Sequence, residues 1–238
     1  MTCMLGLALV LFSACNGLMD SLYDEPSDAA PGDGSIYVDA SSWTEWHYID
    51  LHAEQVGSIT YDVPMEEIAD GWDGKSAICT YWYDVFGVGL SKNEYQSEKH
   101  TMPQVEPEHW DIAIHRNNVR TNGAGVYMTS LDDISKVGTA EDYAGMPFTE
   151  DEWNETDVWC DNAYMLQGYV GNQRIKVNKV LSQWLTVALP PIPPSFTHCG
   201  KVFIVRFSDD TMAAIRLKDY VSSRNVKCCM TIEYKYPL

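Results

Sequence analysis

From residue 35 onward, apolar and polar positions alternate in short runs separated by turn residues, the period-two signature of strands half buried in a sheet. "SIYVDASS" predicts a first strand and "TEWHYIDLH" a second, with Trp46, Tyr48 and Asp50 on one face and His47, Ile49 and Leu51 on the other. "CTYWYDVFGVGL" is dense in aromatic and β-branched residues that suit a pleated surface. "WDIAIHRNNVRTNG", residues 110–123, opens as a strand with Trp110, Ile112 and Ile114 on one face and Asp111, Ala113 and His115 on the other. It closes on an Asn-Gly turn signal ahead of "GAGVYMTSL". "KVFIVRFSDDTMAAIRLKDY" reads as a hairpin turning at Asp209-Asp210, and "VKCCMTIEYKYPL" as a closing strand.

Between Ser130 and Pro194 the alternation loosens into acidic, loop-like segments. "VGNQRIKVNKVLSQWL" predicts a short helix, because Ile175, Val177, Val180, Leu181 and Trp184 recur at three and four. "ALPPIPPSF" is a stiff proline-rich loop. No repeat of fixed period interrupts the pattern. The expectation is all-β: one mainly antiparallel domain over residues 36–238, with a short helix and long loops.

The beginning of the chain is different. "MTCMLGLALVLFSAC" carries no charge, and its apolar centre is too short for a membrane-spanning helix but suits a signal peptide. Phe12-Ser13-Ala14 before Cys15 resembles a bacterial lipobox, which makes residues 1–15 a lipoprotein signal and Cys15 the lipidated residue. Residues 16–35, "NGLMDSLYDEPSDAAPGDGS", are acidic and poor in apolar side chains, and read as a flexible tether. Attachment to the membrane is then by lipid alone, at the outer membrane and the cell surface.

Composition narrows the picture further. The chain has 238 residues, 45% of them hydrophobic and 12% aromatic, enough for a sizeable core. Its net charge of −18 excludes a nucleic-acid binder, which needs a basic face, and docking on anionic headgroups. Beyond Cys3 and Cys15, the cysteines are Cys79, Cys160, Cys199, Cys228 and Cys229, an odd number without a CxxC pair. Buried free thiols are the expectation, with Cys228 and Cys229 on opposite faces of a strand. No GxSxG, HExxH, phosphate-cradling or nucleotide motif is present, and none of the many carboxylates stands out as a catalytic pair, so the chain reads as a non-enzyme.

Five blocks in order resemble the HmuY family, haem-binding surface lipoproteins of Gram-negative anaerobes. They are "YVDASSWTEWHYIDL", "WDIAIHRNNVRTNG", "KVLSQWL" with its proline loop, the hairpin "KVFIVRFSDDTMAAIRLKDY" and the closing "IEYKYP". The resemblance implies a haem carrier for iron acquisition, a hemophore that passes its cargo to a TonB-dependent outer-membrane receptor. It also implies axial ligands on loops downstream of the second block, one of them five residues after the tryptophan that corresponds to Trp184.

That position is Leu189, which cannot ligate iron. The remaining ligand candidates are Met165 in "DNAYMLQGYVG", with Tyr164 beside it as a pocket residue like Leu189, then His198 and Met146. His115 is expected to be a hydrogen-bonded structural residue, since about 13 Å of strand separates it from Asp111. The alternative expectation is a member that has lost haem and binds another apolar or carbohydrate ligand, or serves as a structural or interaction protein, in keeping with 8 Trp and 14 Tyr.

Overall fold

The computed structural model describes residues 34–43, 45–53, 55–60, 78–84, 95–101, 106–154, 158–161, 169–173, 175–188 and 193–238. Two antiparallel sheets face each other. The first holds β1 (Ser35–Asp39), β17 (Lys227–Lys235), β16 (Met212–Val221), β15 (Val202–Arg206) and β8 (Gly125–Met128), in that spatial order. The second holds β3 (Gln55–Thr60), β2 (Glu45–Asp50), β6 (Ile112–His115) and β7 (Asn118–Thr121).

Alternation decides which side chains meet. In the first sheet, Ile36 pairs with Ile232, Val38 with Met230, Phe203 with Ile215 and Val205 with Ala213, and all of these point inward. The second sheet supplies Ile49, Leu51, Ile112, Ile114 and Val119 to the same core. Large aliphatic and aromatic side chains buried this completely contribute roughly 1.5–3 kcal/mol each. The intersheet layer is the main source of stability.

Both sheets are also covered on their outer faces, which explains the near-continuous apolar runs in β2 and β6. Behind the second sheet, Trp46, Tyr48, Trp110 and Ala113 pack with Val158, Ile175 and Val177. Trp110 thus departs from its expected side. It precedes β6 at a bend, and its ring meets Tyr48 edge-on at 5.2 Å instead of joining Ile112 and Ile114. Behind the first sheet, Val202, Ile204, Met212 and Ala214 are covered by Val137 and Tyr143 from the segment after β8.

The helix expected over residues 170–185 is replaced by strands. β11 (Tyr169–Gln173) pairs with β4 (Ile78–Asp84) and β10 (Trp159–Asp161), in a four-stranded sheet completed by β5 (Tyr95–Thr101). β12 (Ile175–Val177) pairs with β9 (Glu152–Asn154), burying Ile175 and Val177 while Lys176 stays exposed. Gly171 and Asn172 disfavour helix, and β-branched residues either side of a lysine suit a ribbon. Only a 3-10 turn, Leu181–Trp184, remains, while the one α-helix among the described residues is α1 (Ala140–Tyr143). The hairpin β13 (Leu185–Ala188) and β14 (Ser195–His198) follows that turn.

Two turns differ from expectation. The β6–β7 hairpin turns at Arg116-Asn117, with Arg116 at φ 54°. Asn122-Gly123 instead carries the chain from the second sheet to the first, with Gly123 at φ 74°. The Asp209-Asp210 hairpin forms as expected, Asp210 taking φ 67°. Cys228 and Cys229 are free and buried on opposite faces, and Cys199 is free and half-buried.

The edge strand β7 is closed by Asp151, Asn178 and Ser182 in place of a neighbouring strand. Asp151 accepts from the Thr121 amide at 2.7 Å, the Thr121 hydroxyl at 2.8 Å and the Asn178 amide at 3.1 Å. The Ser182 hydroxyl accepts from Val119 N, and Asn178 N donates to Val119 O. Asp151→Ala leaves the Thr121 amide and one Asn178 N–H without their acceptor, while the Thr121 hydroxyl keeps the Ala124 carbonyl, and is expected to lower unfolding free energy by about 2 kcal/mol. Urea denaturation at neutral pH measures it, and a loss under about 1 kcal/mol would mean that solvent replaces the carboxylate.

Candidate functional site

The motif that contains His115 holds structure together. His115 has no exposed surface, and its Nε2 donates to the Trp43 carbonyl at 2.8 Å. Its ring lies 5.2 Å from that of Trp46. Burial lowers its pKa to about 4, so the imidazole is neutral. The next residue, Arg116, donates from Nη1 to the Ser41 carbonyl at 2.5 Å and places its guanidinium 4.2 Å above the Trp43 ring. Together they fasten residues 41–43 onto the β6–β7 turn.

Further along the motif, Arg120 enters an aromatic box. Its guanidinium lies 4.9 Å from the Trp46 ring, 5.5 Å from Tyr48 and 4.8 Å from Trp110. Nη2 donates to the Tyr48 hydroxyl and to Glu106, each at 2.6 Å. A charge this enclosed is tolerable because aromatic faces and a carboxylate surround it.

The β13–β14 hairpin flanks the proline-rich stretch in which an axial ligand is expected. Trp184 anchors it, fully buried in the intersheet core, and the 3-10 turn before it is started by Asn178, which accepts from Leu181 N and Ser182 N. From that anchor the hairpin loses burial toward its far end: Leu185 is buried, Val187 half-buried and Ala188 exposed. Phe196 stacks on Tyr220 at 6.0 Å, and His198 meets the same ring at 5.9 Å.

The ligand candidates separate. His198 is half-buried in β14, and its Nε2 donates to the Leu217 carbonyl at 2.6 Å. Iron ligation through that nitrogen would break this bond. Met146 is 39% exposed and follows α1, whose Tyr143 packs over the outer face of the first sheet. The β13–β14 hairpin packs on the inner side of that sheet. The segments that carry them therefore flank opposite faces of that sheet. Tyr164, Met165 and Leu189 lie outside the described residues, as does Cys15.

Sequence reasoning overlooked His52. With Asp50 and Asp111 it forms the one group of three potential metal ligands among the described residues, their ligand atoms within 4.8 Å of one another. These atoms are already engaged. Asp111 Oδ2 accepts from Leu51 N at 2.6 Å and faces His52 Nδ1 at 2.9 Å, and Asp50 caps Ala53 N. His52 and Asp111 are 59 residues apart, so no local motif could have joined them.

The family model described as HmuY protein matches residues 42–234. Among solved structures, a candidate lipoprotein of Bacteroides fragilis is 33% identical, with 89% of this chain and 92% of that one covered and a TM-score of 0.60. A candidate HmuY-like heme-binding protein of Bacteroides vulgatus is 29% identical, with 90% and 98% covered and a TM-score of 0.62. The apo HmuY analogue of Tannerella forsythia, 21% identical over 86% and 95% with a TM-score of 0.59, shares the fold. No curated protein matches the chain.

Proposed function

The chain belongs to the HmuY family, and on that premise we propose that it binds haem and carries it without chemical change. The observation that supports this reading is the family match across residues 42–234, alongside a relative from Bacteroides vulgatus that is itself described as HmuY-like and heme-binding. Iron would be held by a methionine, Met165, or through single axial ligation, since Leu189 at the usual second position offers no donor. Tyr164 and Leu189 would line the pocket.

The proposal extends to the cell surface. Cys15 carries the lipid anchor at the outer membrane, residues 16–35 give the domain reach, and a TonB-dependent receptor takes the cargo for iron acquisition. A net charge of −18 keeps such a domain soluble in a crowded envelope.

Titration of the purified protein with hemin tests the binding reading. A Soret shift is expected that is lost in Met165→Ala and kept in His198→Ala. A shift lost only in His198→Ala would move the ligand to β14. No shift in the wild type would favour the second reading, a member that has given up haem for another apolar or carbohydrate ligand, for which Leu189 is the specific sign.

A further inference from the structure

His52 occupies a place where the two sheets are joined by charge. It lies in the turn after β2, and its Nδ1 is 2.9 Å from Asp111 Oδ2, at the entrance to β6 in the second sheet. Its Nε2 is 3.4 Å from Asp209 Oδ2 and 3.4 Å from the Thr211 hydroxyl, both on the β15–β16 hairpin of the first sheet. The ring sits against Phe207 at 4.9 Å and Tyr236 at 4.8 Å, so its rotation is restricted.

The carboxylates on either side are held by backbone bonds. Asp111 Oδ2 also accepts from the amides of Leu51 and His52. Asp209 Oδ1 accepts from the Thr211 amide and hydroxyl at 3.0 and 2.7 Å. The titratable groups that face the imidazole are Asp50 and Asp111 from the second sheet, and Asp209 and the Tyr236 phenol from the first.

A neutral imidazole has one N–H and can donate to one carboxylate only, whereas an imidazolium donates to both. We propose that His52 is a proton-operated latch: the imidazolium fastens the β2–β3 turn to the β15–β16 hairpin, and loss of its proton releases the Asp209 side. The two carboxylates are spaced for a doubly donating ring, and each is immobilised by its own backbone contacts.

The proton balance agrees with the geometry. Partial burial pushes the His52 pKa down, but hydrogen bonds and charge from Asp111 and then Asp209 outweigh it, and the net shift is upward. A histidine raised in the fold contributes stability that is complete below the unfolded value of about 6.5. That contribution is lost as pH rises through the folded value. The Thr211 bonds hold the Asp209 pKa down, so the acceptor stays charged in mild acid. The latch is closed in mildly acidic medium and opens as pH rises through the raised pKa of the ring.

Proton NMR titration of the full chain, with the His52 signal assigned by its disappearance in His52→Gln, tests this. The expected midpoint lies above about 6.5 and falls in Asp209→Asn. Amide exchange in the 207–211 turn should rise, between about pH 6 and pH 9, beyond the intrinsic base-catalysed increase, and His52→Gln should show that extra exchange already at about pH 6. A midpoint at or below about 6.5, or one that Asp209→Asn leaves unchanged, overturns the latch.

Discussion

Replacing Trp184 with alanine is expected to reduce unfolding free energy by about 4 kcal/mol, the largest single loss in the described core. The ring has no exposed surface and packs with Leu181, Leu185 and Phe203 in the layer between the sheets. It stands where the 3-10 turn gives way to β13, and its carbonyl accepts from Cys199 N at 3.2 Å, so the β13–β14 hairpin hangs from it. The cavity left by alanine cannot be filled by neighbours whose backbones are tied into ladders. Trp184→Phe separates packing from polarity, because the indole Nε1 has no hydrogen-bond partner among the described residues. That variant is expected to cost under about 1.5 kcal/mol, since it loses volume but no bond. Urea denaturation compares the two, and hemin titration of Trp184→Ala should show weaker binding if the hairpin carries part of the pocket. Equal losses in the two variants would show that the anchor is not the ring's volume.

Acid is expected to destabilise the fold through His115, by about 3 kcal/mol between neutrality and about pH 4. The neutral ring is buried without exposure, and protonation would place a charge beside Arg116 and Trp46 with no carboxylate against it. The folded pKa of about 4 lies below the ordinary 6.5. In that interval the unfolded chain binds the proton and the folded chain does not, so stability falls as pH drops through it. His47, also lowered by burial, acts in the same direction. His115→Phe should flatten most of this acid limb, while costing about 1 kcal/mol at neutral pH for the orphaned Trp43 carbonyl. Denaturation midpoints for wild type and variant from about pH 4 to pH 8 measure both effects. An unchanged acid limb in His115→Phe would assign the sensitivity to other groups.

The strands rich in apolar, β-branched and aromatic residues were legible: β1, β2, β6, β15, β16 and β17 lie where such runs are bounded by turn signals. β3 and β5 were not, because "QVGSIT" and "YQSEKHT" have too few apolar residues to show a face. The segment around Ile175 and Val177 fitted a helical spacing as well as a strand spacing, and pairing with β9 decided between them. His115 was legible as structural, since a strand cannot bring it to Asp111. Its partner, the carbonyl of Trp43 on a distant loop, was not. Among the ligand candidates, sequence order set His198 and Met146 beside Met165 as alternatives. Only the tertiary structure shows that His198 already spends its Nε2 on the Leu217 carbonyl.

By itself the sequence determined the all-β class, the charge, the family blocks and which side chains share a strand face. These depend on the chemistry of a residue and its immediate neighbours, which the one-dimensional order contains. Tertiary structure alone decided that Asn122-Gly123 passes between sheets and that Arg120 sits in an aromatic box. It alone brought His52 between Asp111 and Asp209, residues 59 and 157 positions away along the chain. Such meetings follow from how one sheet is laid over the other, and periodicity along a strand carries no information about the strand that will face it.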